Sequence, residues 1–587
     1  EHETRSGYDL IGALLTKLVC PHVSGASRRM SLDTLFSGIN SFLTPPRLDN
    51  YPFNDVRGVK EMSSSQRKGV NELLKEYVSP SVPLGAWDSD NIDDPECFAK
   101  LYEWDNTSFA GLLSGSQIII GRRGSGKSAL LNAVRDKQKF IDRIRTEERS
   151  SSFPETYGLG QQSLKLTQEL FLQIDLPAEI DELKKTYQNV DFLPTVETLA
   201  KYWYNRIFIR LGQQIHEKDM KLWSRLSKDL KDYVNPVIFP NIGAANNDTP
   251  MTPERFADGI KNFLSEQKRT AIITFDSLEE YLFNDAEILF RKGLFRCVGK
   301  LVSQQNTPIS VKLCLPAELY PLIKNQFSNP DKDLATPQFL HWNSRELMRI
   351  ATHRLRVFLE IYKPEEYKQI AGLKLNSRED LQTFWDRYLP KKILNASGQE
   401  EDSFRYILRH TQMLPRQVIL ILNSILSKSK TLESGRPADA EVIREEVRKK
   451  ETVFLETIFS MFRTQYPKID DVCRASFSGM SRVITSGELQ TIHTQKALRL
   501  MKQMNLGHYS EFQRMLLSIG ALGIVETTEE TEVYTVGWFE FNTEHELPNA
   551  ALYCVHPIFS GVYRCPTPAG TKPILTRDIG SATSGDN

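Results

Sequence analysis

The sequence predicts an α/β fold in which a parallel sheet is covered by helices on both faces. Between residues 86 and 325, short apolar runs alternate with helical patterns, and four runs have the length of buried strands: 117–120, 170–175, 271–275 and 311–315. Buried strands that alternate with helices form parallel sheets, because the crossover helices cover both faces. A glycine-rich loop directly after the first run is the second observation that indicates this fold.

Composition and charge describe an ordinary globular chain. Its 587 residues are enough for roughly three or four domains. Basic and acidic side chains number 74 each, so the net charge is zero, which argues against a wholly basic nucleic-acid-binding surface. Seven scattered cysteines form no CxxC pair, so we expect a reducing, cytoplasmic setting. No apolar run approaches the ~18 residues of a membrane span, so we expect no membrane partner.

A phosphate-binding motif lies between the first strand and the next helix. Residues 121–128 read G-R-R-G-S-G-K-S and fit G-x-x-x-x-G-K-[ST] at each fixed position. Glycines let the backbone turn tightly and direct its N–H groups inward, and the helix N-terminus adds positive potential. Lys127 is expected at the β- and γ-phosphates and Ser128 at Mg²⁺. The predicted ATP contacts are Gly121, Arg122, Arg123, Gly124, Ser125, Gly126, Lys127, Ser128 and Ala129.

An acidic residue ends a second apolar strand. The run 271–275 leads into Asp276, which we predict to be a ligand of Mg²⁺ together with Ser128, because ligands collect beyond the carboxyl ends of parallel strands. The next position, where many related ATPases carry a catalytic glutamate, is Ser277, which cannot act as a base. Glu279 or Glu280 could polarise the attacking water instead, or both could favour a helix N-terminus by their charge. We therefore predict an ATPase, with slow turnover.

The order D-S-L-E-E at 276–280 resembles the signature of STAND NTPases, a signal-transducing branch of the AAA+-related P-loop ATPases. The resemblance implies that Asp276, Glu279 and Glu280 orient the metal and water. It also implies a nucleotide-dependent switch or assembly platform, with a homo-oligomer or an effector protein as partner. Microbial antiviral defence is a setting by analogy alone.

The following helical region resembles the lid of initiator ATPases of the origin-recognition type. Asn343 and Glu346 have the spacing of a capping box, and the helix after them reads E-L-x-x-I-x-x-x-R. Further on, M-L-P-R-Q-V at 413–418 is similar to the sensor-2 segment of those initiators and to the G-x-P motif of STAND proteins. The resemblance implies that Arg416 contacts the γ-phosphate, and that Arg354 makes a similar contact in cis or between subunits. A surface arginine in a helical ion pair is the alternative for both.

A winged-helix-like domain is predicted after the lid, since helices are followed there by a small hairpin. A winged helix can place a helix in the major groove of DNA. Between residues 471 and 564, however, seven basic side chains accompany ten acidic ones, and the presumed wing at 526–532 carries four glutamates. Because phosphate neutralisation dominates DNA affinity, the charge favours a protein contact. A DNA-binding initiator or loader ATPase is the alternative function.

Five regions follow from these patterns. Residues 1–85 are predicted to be a mostly helical or irregular extension, 86–325 the ATPase core, 326–450 the lid, 451–570 the winged-helix-like domain and 571–587 a flexible tail. Residues 235–250, rich in Pro, Asn and Gly, are predicted to be an insertion loop.

Overall fold

The structure is a computed structural model of the chain. It describes residues 69–103, 118–135, 169–187, 194–238, 251–276, 285–302, 307–320, 337–373, 377–527, 533–543 and 546–580. The chain divides into two units, and of the smaller one only a helical stretch at 232–238 is described. Residues 61–231 and 248–587 form the other unit, which contains the candidate site.

A five-stranded parallel sheet forms the centre of the core and confirms the predicted fold class. Its strands are β1 (Ile118–Gly121), β2 (Glu169–Ile174), β3 (Thr270–Phe275), β4 (Ile309–Pro316) and β5 (Gln338–Phe339), in the spatial order β2-β3-β4-β1-β5. Every neighbouring pair is parallel. Only β4 separates β1 from β3, and Gly121 pairs with Pro316, so these strands end at one edge of the sheet.

Helices alternate with these strands, as the sequence pattern predicts. They are α1 (Val70–Leu74), α2 (Pro95–Leu101), α3 (Lys127–Arg135), α4 (Leu176–Tyr187), α5 (Val196–Lys218), α6 (Met220–Arg225), α7 (Lys228–Ile238), α8 (Pro253–Glu266) and α9 (Asp285–Val302). The buried Trp203 of α5 donates its indole N–H to the carbonyl of Phe290 in α9 at 2.9 Å, which ties the two helices together. The predicted insertion loop is wrong at 235–238, where α7 continues, and its remainder at 239–250 lies outside the described residues.

Strand β5, which lies within the predicted lid 326–450, belongs to the core sheet, since Phe339 pairs with Ile120 of β1. The lid elements are α10 (Ser344–Tyr362), α11 (Pro364–Ile370), α12 (Arg378–Trp385), β6 (Lys392–Leu394), β7 (Glu400–Asp402), α13 (Ser403–Arg409), α14 (Pro415–Lys428) and α15 (Thr431–Ser434). The predicted capping box is present at α10, where Asn343 and Glu346 each accept the backbone N–H of the other at 3.0 and 2.9 Å.

One long helix, α16 (Ala440–Phe462), passes through the predicted boundary at residue 450 and joins the lid to the C-terminal domain. The elements after it are α17 (Ile469–Phe477), β8 (Val483–Thr485), α18 (Ser486–Ile492), a π-helical turn (His493–Ala497), α19 (Leu498–Lys502), α20 (Tyr509–Ser518), β9 (Leu522–Glu526), β10 (Thr535–Trp538), β11 (Leu552–Val555), α21 (Pro557–Val562), β12 (Ile574–Thr576) and α22 (Arg577–Gly580). The predicted helices and hairpin are therefore present.

The C-terminal sheet corrects the predicted tail. Its order is β12-β10-β9-β11-β8, and β12 pairs in parallel with β10. The side chains of Ile574 and Leu575 are buried, so this part of the predicted flexible tail is a strand that completes the sheet. Residues 581–587 lie outside the described residues. Within the described part of the chain, no helix has the length and apolar character needed to cross a membrane.

Candidate nucleotide-binding site

The phosphate loop connects β1 to α3, and its turn depends on two glycines with positive φ angles. Gly124 and Gly126 have φ values of +90° and +96°, in the left-handed region that side chains disfavour. Inside the loop, the N–H of Ser125 donates to the carbonyl of Arg122 at 3.0 Å. The buried Trp342, just before the lid, donates its indole N–H to the carbonyl of Ser125 at 2.9 Å. The loop conformation is thus fixed from within and from the lid side.

Lys127, the first residue of α3, has its ammonium group inside the loop. The side chain is 7% exposed, and its Nζ donates to the carbonyls of Gly121 at 2.8 Å and Arg122 at 3.3 Å. These carbonyls compensate the cost of burying the charge, because a buried ammonium needs hydrogen-bond acceptors. The charge therefore lies where phosphate oxygens are expected.

Ser128 and Asp276 meet across the sheet edge. The Ser128 hydroxyl donates to Oδ2 of Asp276 at 2.6 Å, so the loop after β1 and the carboxylate after β3 are in direct contact. A hydroxyl and a carboxylate are hard oxygen donors of the kind that suit Mg²⁺. Among the described residues, no group of three or more His, Cys, Asp or Glu could hold a metal. The donors present fit an ion that retains water and phosphate ligands.

Arg416 approaches the phosphate loop from the lid, and its contact with the γ-phosphate stays a prediction. Its backbone N–H points to the carbonyl of Gly124 at 3.5 Å, and a β-carbon placed on Gly124 would lie 3.2 Å from its Cβ. The guanidinium forms an ion pair with Asp88 at 3.0 Å and stacks on the ring of Trp87, with its Cζ 4.6 Å from the centroid. The arginine is therefore beside the phosphate loop, while its charge is paired with a carboxylate of the chain.

Arg354 lies deeper, inside the packing of the lid. Its guanidinium donates to the carbonyls of Leu84 at 3.0 Å and Ala86 at 2.6 Å, and burial lowers its pKa to about 10. Asn423 of α14 holds the same segment, since it accepts from the N–H of Leu84 at 2.7 Å and donates to the carbonyl of Gly85 at 3.1 Å. In this structure Arg354 fixes the segment before Asp88, and its contact with nucleotide stays a prediction.

Glu318 is a site residue that the sequence analysis did not name. It follows β4, and its Oε1 accepts the backbone N–H of Arg123 at 3.0 Å. The sequence signal was a carboxylate just beyond the end of a buried strand, the same signal that identified Asp276. The predicted catalytic residues Glu279 and Glu280 lie outside the described residues.

The side chain of Arg122 extends from the phosphate loop to the C-terminal domain. Its Nη2 donates to the carbonyl of Ser518 at 2.9 Å, and its Cζ lies 5.4 Å from the ring centroid of Phe541. The residue is only 6% exposed. Next to this contact, Gln412 of the lid donates to the carbonyl of Ile519 at 3.0 Å. The loop, the lid and the C-terminal domain therefore meet at the end of α20.

The parallel sheet, the strand–loop–helix unit and the Ser128–Asp276 contact define a P-loop nucleotide-binding fold. No protein-family model matches the chain, and no curated protein matches it in sequence. Among solved structures it is similar to ORC2 of Aeropyrum pernix (13% identity, 80% of this chain and 93% of that chain, TM-score 0.32). It is also similar to ORC1 of Aeropyrum pernix in complex with DNA (11%, 73% and 84%, 0.25) and to Cdc6p of Pyrobaculum aerophilum (11%, 78% and 93%, 0.25).

These three solved structures are of ORC and Cdc6 proteins, the kind of protein that the lid motifs resemble. The antiviral setting that the STAND resemblance implies finds no support in them. At these identities and TM-scores the likeness carries no argument about individual residues.

Proposed function

We propose that this chain is an ATP-hydrolysing P-loop ATPase of the initiator or loader type, in which nucleotide binding controls the C-terminal domain. The observation that carries the proposal is the hydrogen bond from Arg122 to the carbonyl of Ser518, because it joins the phosphate loop directly to that domain. Lys127 and the loop amides would bind the phosphates of ATP. Ser128 and Asp276 would hold Mg²⁺, which supplies charge neutralisation when bound.

Arg122 links the two sites through its backbone and its side chain. Its carbonyl accepts hydrogen bonds from the Lys127 ammonium at 3.3 Å and from the N–H of Ser125 at 3.0 Å. Its guanidinium donates a hydrogen bond to the carbonyl of Ser518. When Lys127 turns to the phosphates, the Arg122 carbonyl loses one of these donors. The loop and the C-terminal domain then change together, and by linkage a docked domain changes nucleotide affinity by the same factor.

A lid segment provides a second connection. Gln412 holds the carbonyl of Ile519 at 3.0 Å, and four residues later Arg416 lies against Gly124 of the loop. Gln417 fixes this segment, since its side-chain oxygen accepts the backbone N–H of Gln412 at 2.6 Å. A γ-phosphate contact made by Arg416 would exist only in the ATP state. Such a contact shifts the population of lid and domain arrangements.

Hydrolysis in this proposal is phosphoryl transfer to water. Positive charge from Lys127 and Arg416 stabilises the transition state. Ser277 follows Asp276 and supplies no base, so Glu279 or Glu280 would orient the water, and turnover is expected to be slow. A homo-oligomer or an effector protein is the proposed partner of the acidic C-terminal domain.

The switch is tested by hydrogen exchange at the end of α20. In the wild type, Mg·ATP should change the exchange rates of the amides at 518–522 by about tenfold, because coupling free energies between two sites are typically about 1–3 kcal/mol. Arg122→Ala should speed this exchange without nucleotide and remove its dependence on ATP. Arg514→Ala, which removes an exposed arginine of the same helix that faces Glu546 at 3.5 Å, is the control. Bound ATP that leaves these amides unchanged in the wild type would refute the switch.

Duplex DNA is a second candidate ligand of the C-terminal domain. The observation that favours it is a stripe of basic residues at i, i+3 and i+6 near α19: Lys496, Arg499 and Lys502, all exposed. If this stripe contacts phosphates, replacing all three residues by Gln should weaken DNA binding and lower the slope of log K against log salt by about 2–3. Absence of duplex binding by the wild type at low salt excludes this candidate and leaves a protein partner.

A further inference from the structure

Two groups that are placed to bind phosphate are occupied by carboxylates of the chain itself. The N–H of Arg123 in the phosphate loop donates to Glu318, and the guanidinium of Arg416 is paired with Asp88. We propose that Glu318 and Asp88 compete with the phosphates of ATP for these groups, and so set nucleotide affinity and the preference between ATP and ADP. The inference rests on the proposed ATP site.

Glu318 is directed to the loop by the sheet. Gly121, which starts the loop, pairs with Pro316 at the end of β4, and Glu318 follows two residues later in a short 3-10 turn. The N–H groups of the phosphate loop create a positive potential, which stabilises any anion that accepts from them. A carboxylate oxygen at 3.0 Å from the amide nitrogen uses this potential in the absence of nucleotide.

A phosphate and this carboxylate cannot share the amide without repulsion. Two like charges about 4 Å apart repel each other, so phosphate binding requires Glu318 to move away. Every nucleotide that fills the loop meets this cost. Glu318 is therefore expected to weaken the binding of both ATP and ADP.

Asp88 acts through Arg416 and concerns the terminal phosphate. The segment before it is held by Arg354 at the carbonyls of Leu84 and Ala86, so the carboxylate is positioned by the lid. Trp87 adds a stacking face for the same guanidinium. To reach a γ-phosphate from the lid, Arg416 must leave both partners. Because ADP has no γ-phosphate, Asp88 is expected to weaken the binding of ATP selectively.

The sign of the effect distinguishes competition from structural support. If these carboxylates only stabilise the loop and the lid, neutralising them will weaken nucleotide binding. If they compete with phosphate, neutralising them will tighten it. Glu318→Gln and Asp88→Asn each retain an oxygen acceptor in the same place and remove only the charge, so the packing around both residues is preserved.

Calorimetric titration of the full chain with Mg·ATP and with ADP measures this sign. We expect Glu318→Gln to tighten both nucleotides about tenfold, and Asp88→Asn to tighten ATP about tenfold while ADP stays within about twofold. Glu360→Gln is the matched control: its carboxylate pairs with Lys100 at 2.6 Å and has a similar side-chain exposure, 29% against 24% for Asp88. This control should bind like the wild type.

A double variant tests the route through Arg416. In an Arg416→Gln background, Asp88→Asn should no longer change ATP affinity, while Glu318→Gln should still tighten it. Equal or weaker binding by both single variants, in a protein whose wild type binds ATP, overturns the inference. Failure of the wild type and of every variant to bind either nucleotide would instead refute the proposed ATP site.

Discussion

Asp276 and Ser128 are 148 positions apart in the sequence, yet their side chains are joined by a 2.6 Å hydrogen bond. The parallel sheet is responsible, because β1 and β3 are separated only by β4 and end at the same edge. A hydroxyl that donates to a carboxylate places two oxygen ligands side by side.

This pair predicts a metal-dependent effect of a single substitution. Asp276→Asn keeps the size of the side chain and removes its charge, which is the main attraction for Mg²⁺. We expect ATP affinity in the presence of Mg²⁺ to fall by about tenfold or more, and affinity measured in a chelator to stay within about twofold. Titration with a fluorescent ATP analogue under both conditions measures the difference. An equal loss with and without Mg²⁺ would assign Asp276 a structural role.

At the same scale, local sequence predicted some contacts and could not predict others. The motif placed Lys127 in the phosphate loop, because the pattern itself encodes that geometry. It predicted an ATP contact for Arg122 but gave no information on where its side chain lies, because that position in the motif accepts any residue. That side chain bonds to Ser518, 396 positions away, and only the assembled fold brings the two together.

Among the elements, the short segment 84–88 depends on the lid for its conformation. Arg354 of α10 and Asn423 of α14 bind three consecutive residues of it, from Leu84 to Ala86. Buried carbonyls and amides must be paired, so these two side chains take the place that a neighbouring strand would have. The ion pair between Asp88 and Arg416 depends on this anchoring.

Removal of the buried guanidinium is expected to release the segment. Arg354→Met leaves two carbonyls without donors, which costs about 2 kcal/mol, so the amides of Leu84 and Gly85 should exchange about thirtyfold faster. Arg356→Met is the control on the same helix, because Arg356 packs on the ring of Tyr367, 5.8 Å from its centroid. Unchanged exchange at 84–85 in Arg354→Met would show that Asn423 alone holds the segment.

Element boundaries show where sequence patterns lose information. The strands β1 to β4 were predicted because their apolar runs are continuous, and α10 because its capping box is local. The two-residue strand β5 and the strand β12 were missed, since neither has a periodicity of its own. Both exist through pairing, β5 with β1 and β12 with β10. Helix α16 crosses a predicted boundary for a related reason: its pattern is helical throughout, and no breaker marks the change of domain.

In the molecule as a whole, a buried polar cluster joins the lid to the C-terminal domain. His410 at the end of α13 and Glu451 of α16 share a short hydrogen bond of 2.5 Å between Nδ1 and Oε1. Burial raises the pKa of Glu451 to about 8 against the opposing influence of Arg409, Arg448 and Arg482. Burial also holds the pKa of His410 well below its usual value. The pair therefore retains one proton at neutral pH, and a glycine of α21 packs directly against the carboxyl group.

This retained proton makes stability depend on pH with a definite sign. The folded-state pKa of Glu451 lies above its unfolded value, so the stabilisation is complete at low pH and is lost as the pH rises through about 8. Below about pH 6.5, the usual pKa of histidine, the unfolded chain gains a proton on His410 that offsets the one held by Glu451. Between about pH 6.5 and 8 the folded chain therefore binds one proton more than the unfolded chain, and its free energy of unfolding should fall by about 1.4 kcal/mol per pH unit. Glu451→Gln imitates the protonated acid and should abolish this loss. Glu456→Gln, on the same helix but 62% exposed, should retain it. Thermal unfolding midpoints of the three proteins at pH 6.5 and 8.5 measure the effect. An equal drop in midpoint between the two pH values for wild type and Glu451→Gln would contradict it.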